Sequence, residues 1–93
     1  MSHKITYLEV WFEGHVQGVG FRYKTVQIAK GFEINGEVKN LNDGRVYLQV
    51  EGEQTEVMEF KEEIEKLMEN FIRNVEFQSS QREPAFKGFI IAH

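Results

Sequence analysis

Between Tyr7 and Phe32 the hydrophobic pattern changes period, and that change restricts the fold more than any other feature. Residues 7–13, YLEVWFE, alternate: Leu8, Val10 and Phe12 share one side, and Tyr7, Glu9, Trp11 and Glu13 the other. A period of two marks a half-buried strand. From Phe21 the apolar positions are Phe21, Thr25, Ile28, Ala29 and Phe32, which form one face of a helix of about three turns. Gly31 falls in its last turn or just past it. Between the two patterns stands GHVQGVG, residues 14–20, with three glycines.

The same switch recurs downstream. Residues 36–42, GEVKNLN, lead into Asp43-Gly44, and RVYLQVEG follows with Val46, Leu48 and Val50 on one side. An Asp-Gly pair between alternating runs is a hairpin signal. A second helical face then joins Val57, Phe60, Ile64, Leu67, Met68 and Phe71, with Thr55 as its expected N-cap. IRNVEFQ and FKGFIIA read as closing strands separated by a turn near Pro84. The order βαββαβ, with room for a short fifth strand, predicts an α+β ferredoxin-like sandwich: a mostly antiparallel sheet with two helices on one face. Residues 1–93 are read as one domain, with no internal repeat or linker.

Composition narrows the function. There is no cysteine, which excludes disulfides, thiolate metal ligands and a thiol nucleophile. The first residues lack the apolar core of a signal peptide, and no apolar run approaches membrane-spanning length, so a soluble, cytoplasmic protein with no membrane partner is expected. Fifteen acids against eleven Lys plus Arg give a net charge of −4, a balance that argues against nucleic acid. His3, His15 and His93 lie at no metal-ligand spacing, so no metal site is expected. Neither a Ser-His-Asp set nor a Walker-type phosphate loop is present. Eight carboxylates from Glu51 to Glu69 read as a solvated helix face, with Glu62 and Lys66 as one i, i+4 pair. Trp11 and Tyr47, outward on their strands, leave an RNA-stacking platform as an alternative.

The order of elements puts GHVQGVG at the N-terminus of the first helix. Amides there lack intrahelical partners, and the helix dipole favours negative charge. A glycine-rich turn can converge such amides into an anion nest, and Arg22 adds a forked donor pair suited to phosphate. The glycines by themselves fit a tight turn equally well. Asn40 shares a strand face with Val38, opposite Glu37 and Lys39, and so points inward; from spacing alone it caps the hairpin.

GHVQGVGFR, followed eighteen residues after its arginine by Asn40 in GEVKNLNDGRVYLQVEG, resembles the acylphosphatase family over essentially the whole chain. The first motif, G-x-V-Q-G-V-x-F-R, is complete. The second matches at Gly36, Val38, Lys39, Asn40, Gly44, Val46 and Gly52, and departs at Glu37, where the family usually has an aromatic. Strand parity turns Glu37 away from Asn40. A similar segment opens larger carbamoyl-transferring maturation proteins, an assignment that would require a longer chain.

The resemblance implies metal-free hydrolysis of the carboxyl–phosphate bond of small acyl phosphates by a monomer without cofactor. Inorganic phosphate would be both product and competitive inhibitor. Carried over by position, the backbone of His15, Val16, Gln17, Gly18, Val19 and Gly20 would hold the phosphoryl oxygens with Arg22, and Asn40 would orient the attacking water. The family's fold is the ferredoxin-like one. So sparse a site suits this chemistry: a carboxylate leaving group has a conjugate acid of pKa about 4, whereas an alkoxide's is about 16 by analogy with water. No side chain stands out as general base, which leaves the substrate's own phosphate oxygen to take the proton.

Overall fold

The computed structural model describes residues 4–93; His3 lies outside them. Seven elements follow in order: β1 (Ile5–Gly14), α1 (Phe21–Ala29), β2 (Ile34–Asn40), β3 (Val46–Gly52), α2 (Gln54–Leu67), β4 (Ile72–Arg82) and β5 (Phe89–Ile91). The strands form one sheet in the order β4-β1-β3-β2-β5, antiparallel except for β2 with β5. This is the α+β ferredoxin-like arrangement predicted, with the fifth strand present as a three-residue edge.

Alternation decides which face of the sheet is covered. Leu8, Val10, Phe12, Val38, Val46, Leu48 and Val50 are fully buried beneath the helices, with Phe60 and Ile64 of α2 and Phe21 of α1. Each large buried side chain contributes about 1.5–3 kcal/mol. Rings lock the layers: Phe12 lies 5.1 Å from Phe21, and Phe60 packs 5.7 Å from Phe32 and 5.5 Å from Phe89. Thr25, also buried, returns its hydroxyl to the Phe21 carbonyl at 2.9 Å, which satisfies a polar group that burial would otherwise penalise.

Register brings distant residues into one row. Phe12 and Asn40 both pair with Val46, from its two sides. β1 and β2 therefore run parallel with β3 between them, and their C-terminal ends emerge at the same edge.

Several local expectations shift. α1 ends at Ala29, so Phe32 packs against the core from beyond the helix. α2 takes Glu53 as its N-cap, with extended φ −66° and ψ 146°, and places Thr55 inside the first turn. Leu67 is 47% exposed, while Lys61 is buried, its ammonium 3.1 Å from Glu65 and 4.3 Å from the centre of the Phe77 ring. The helix pair thus joins Lys61 to Glu65 rather than Glu62 to Lys66. Its lysine stem supplies the apolar surface that Leu67 does not.

The clearest correction concerns Glu51, which belongs to β3 and is 1% exposed. The segment between β4 and β5 folds over it: the Ala85 amide donates at 2.9 Å, the Phe86 amide also donates, and Arg82 Nη2 lies 3.4 Å away. The Arg82 guanidinium is itself sandwiched, 3.6 Å from the centre of the Tyr7 ring and 5.5 Å from that of Phe86. A buried carboxylate with charge-assisted partners anchors this connection. We expect Glu51→Ala, which leaves the Ala85 and Phe86 amides without their acceptor, to lose about 1–3 kcal/mol in urea unfolding followed by Trp11 fluorescence, a sizeable share of a small domain's stability.

On the face away from the helices, Tyr47 donates to Glu9, Tyr7 donates to Gln49 at 2.6 Å, and Gln49 donates to Glu37 at 2.9 Å. Burial, reinforced by the Glu9 carboxylate, holds the Tyr47 phenol well above its ordinary range, and burial raises Tyr7 too. A native value above the unfolded one means that the proton is bound more tightly in the folded state. This contribution is complete below about pH 10 and is lost as pH rises through the native value. Stability should therefore fall above about pH 10, and Tyr47→Phe should flatten that decline in urea titrations at rising pH.

Candidate active site

The loop after β1 reaches α1 through two left-handed residues, Gly18 at φ +79° and Gly20 at φ +77°. A side chain at either would meet no neighbour within 4 Å. Backbone conformation, not crowding, is what calls for glycine there. Gly20 is the N-cap, makes no side-chain cap, and accepts the Lys24 amide at 2.9 Å. The amides of Phe21, Arg22 and Tyr23 precede that first helical bond and have no intrahelical acceptor. The first turn carries no acidic residue, so nothing on the helix offsets the positive end of its dipole.

A cavity of about 180 Å³ opens at this end of the helix, lined by Val16, Gly18, Gly20, Phe21, Arg22 and Tyr23, by Asn40 of β2, and by Ile91 and His93. It unites Arg22 with Asn40 and with the first, third and fifth residues of the 16–20 loop. Asn40 reaches it from the helix-facing side of β2, as its pairing with buried Val46 requires. The hairpin it was expected to cap is closed by others: the Leu41 amide donates to the Arg45 carbonyl at 2.8 Å, and the Asp43 carboxylate accepts the Arg45 amide at 3.1 Å.

Three residues predicted with this loop do not line the cavity. His15 is exposed, and Val19 packs against the core. Gln17 turns the other way, its Nε2 donating to the carbonyls of Leu41 at 2.8 Å and Arg45 at 3.0 Å. One amide group thereby ties the glycine loop to the hairpin that follows Asn40. Glu37 lies on the opposite face, where it accepts from Gln49, and does not line the cavity. Conversely, sequence reading did not assign Phe21, Tyr23, Ile91 or His93 to the site. Phe21 and Tyr23 flank Arg22, but Ile91 and His93 arrive through the parallel pairing of β5 with β2, which no local pattern marks. Among the described residues, no group of three or more His, Cys, Asp or Glu converges as a metal site. None of the helices is long and apolar enough to cross a membrane.

The acylphosphatase family model matches residues 8–91 of this chain. The chain belongs to the acylphosphatase family. An acylphosphatase of Lacticaseibacillus paracasei is 37% identical over 84 residues, 87% of this chain and 89% of that protein. One from Archaeoglobus fulgidus is 51% identical over 53 residues, a stretch spanning 57% of this chain and 60% of that relative's length. The crystal structure of acylphosphatase from Bacillus subtilis superposes with a TM-score of 0.84 at 28% identity, covering 95% of this chain and 99% of that one. In this family member, the Gln17 clamp has a measurable weight. Two partly buried neutral hydrogen bonds are together worth about 1–2 kcal/mol, so Gln17→Ala should lower stability by that amount in urea unfolding. Gln17→Glu should do at least as badly, because a carboxylate faces two carbonyl oxygens.

Proposed function

We propose that this chain, as one domain acting as a cytoplasmic monomer, hydrolyses small acyl phosphates to a carboxylate and inorganic phosphate without metal or cofactor. The observation that carries this reading is the convergence of Arg22, Asn40 and the left-handed glycines on one cavity. Such a cavity holds about six waters' worth of volume, enough for a phosphoryl group and an attacking water.

In this reading the phosphoryl oxygens take the amides of residues 15–20 and those at the start of α1, and Arg22 adds charge-assisted donors. Asn40 orients the water. The water oxygen attacks phosphorus, the bond from phosphorus to the acyl oxygen breaks, and its electron pair leaves with the carboxylate. One water proton passes to a phosphate oxygen of the substrate. The protein's work is then positioning and charge stabilisation, which is most of what phosphoryl transfer demands. Small-molecule chemistry is favoured over RNA binding by the surroundings of Trp11 and Tyr47. Their rings stack 5.3 Å apart on the face away from the helices, where Tyr47 is engaged by the Glu9 carboxylate and Glu37 stands nearby. The Lys39 ammonium, 5.9 Å from the centre of the Tyr47 ring, is outnumbered there by the two carboxylates, a balance unsuited to a polyanion.

Hydrolysis of benzoyl phosphate in EDTA, followed by its ultraviolet absorbance, tests the proposal. Arg22→Ala should lose at least about 10²–10³ in kcat and raise KM as well, because the phosphoryl group is charged in ground and transition states alike. Asn40→Ala should lower kcat with KM nearly unchanged. Inorganic phosphate should compete with substrate. Absence of turnover until Mg²⁺ is added would overturn the metal-free mechanism, and a large KM rise with normal kcat in Asn40→Ala would overturn its role on water.

A further inference from the structure

The cavity runs from a buried floor to an open rim. Val16 and Phe21 at its base are 1% and 2% exposed, whereas Tyr23 is 66% exposed and His93 is exposed as well. Under the acyl phosphate reading, Arg22 and the loop amides are committed to the phosphoryl group and Asn40 to water. The lining side chains left without a part are Tyr23, Ile91 and His93: a phenol, a branched alkyl group and an imidazole.

Two elements bring them to the rim. Tyr23 follows Arg22 on α1, whose start is pinned to the sheet by the Phe12–Phe21 contact. Ile91 pairs with Val38, and the Ala92 amide donates to the Val38 carbonyl at 2.9 Å. Two residues beyond the Val38–Ile91 pair stand Asn40 on β2 and His93 on the chain leaving β5. The rim is therefore flanked by helix and sheet edge, and its side chains include no carboxylate. A large aromatic ring turned to solvent at the mouth of a cavity gains by being covered.

We propose that Tyr23, Ile91 and His93 hold the acyl group of the substrate, and that the site selects acyl phosphates bearing a planar or branched apolar acyl body over those with a bare methyl. This rests on the acyl phosphate reading above and names the class of substrate within it. With the phosphoryl group anchored at the cradle, the acyl part projects toward the mouth. A planar ring there stacks on Tyr23 and covers Ile91; a methyl group reaches neither to the same extent.

The experiment compares kcat/KM for benzoyl phosphate and acetyl phosphate in wild type, Tyr23→Ala, Tyr23→Phe and His93→Ala. Benzoate and acetate are leaving groups of similar strength, so their ratio reports the rim. Being a ratio within one preparation, it is also unaffected by any loss of folded protein. Wild type should prefer benzoyl phosphate by about tenfold, as aromatic stacking and apolar burial together allow. The preference should fall toward unity in Tyr23→Ala, fall in part in His93→Ala, and persist in Tyr23→Phe. A wild-type ratio near one, or a ratio unchanged in both alanine variants, would overturn the assignment of the rim. Hydrolysis of neither substrate by wild type would instead overturn the acyl phosphate reading itself.

Discussion

The backbone ladder of β3 is the constraint on which the rest depends. Bonded on one side to β1 and on the other to β2, it fixes the two strands that carry the functional ends of the chain. Val46 is the shared partner of Phe12 and Asn40, so a slip of one residue would turn Phe12, on the β1 side, or Asn40, on the β2 side, to the wrong face. The buried row Leu48 and Val50 opposes such a slip, because it would bring Tyr47, Gln49 and Glu51 under the helices. Position in the site is thus inherited from the hydrophobic pattern of a strand that contributes nothing to the cavity lining.

Upon that register the loop and the helix are held by two contacts of different kinds. Phe12 and Phe21 set the start of α1 against the sheet through apolar packing, and Gln17 sets the glycine loop against the hairpin through directed hydrogen bonds. The first is tolerant of small displacements and the second is not. Together they leave the left-handed glycines free of side-chain neighbours, with the amides at the helix start unshared. Such preorganisation is what the proposed function would require, since its chemistry would consist mainly of holding charge in place.

What could be read from sequence followed the range of the interactions involved. The strands at Leu8–Phe12 and Val46–Val50 and the two amphipathic helices are written in local periodicity, and the glycine-rich motif with Arg22 is contiguous. From periodicity Asn40 was legible only as an inward amide, and it was the family motif that joined it to the loop; their meeting in one cavity is a tertiary fact. Thr55 lost the N-cap to Glu53 because the chain turns two residues earlier on leaving β3. Glu51 was grouped with the helix acids because a carboxylate buried under a later segment looks, in sequence, like any other. The side-chain role of Gln17 and the arrival of Ile91 and His93 depend on contacts across 24 or more residues, such as that of Gln17 with Leu41, and no local pattern encodes them.

β5 has a consequence beyond completing the sheet. It is three residues long, stands at the edge, and is the one strand joined in parallel. Edge segments this short are drawn from the low end of local stability, where opening costs far less than global unfolding. An excursion confined to β5 would carry off the Ile91 and His93 side of the cavity while leaving the glycine loop, Arg22 and Asn40 on the interior framework. In hydrogen exchange the two walls would report on different clocks: the β5 amides on fast local fraying, and the β1 and β3 amides on the unfolding of the whole molecule.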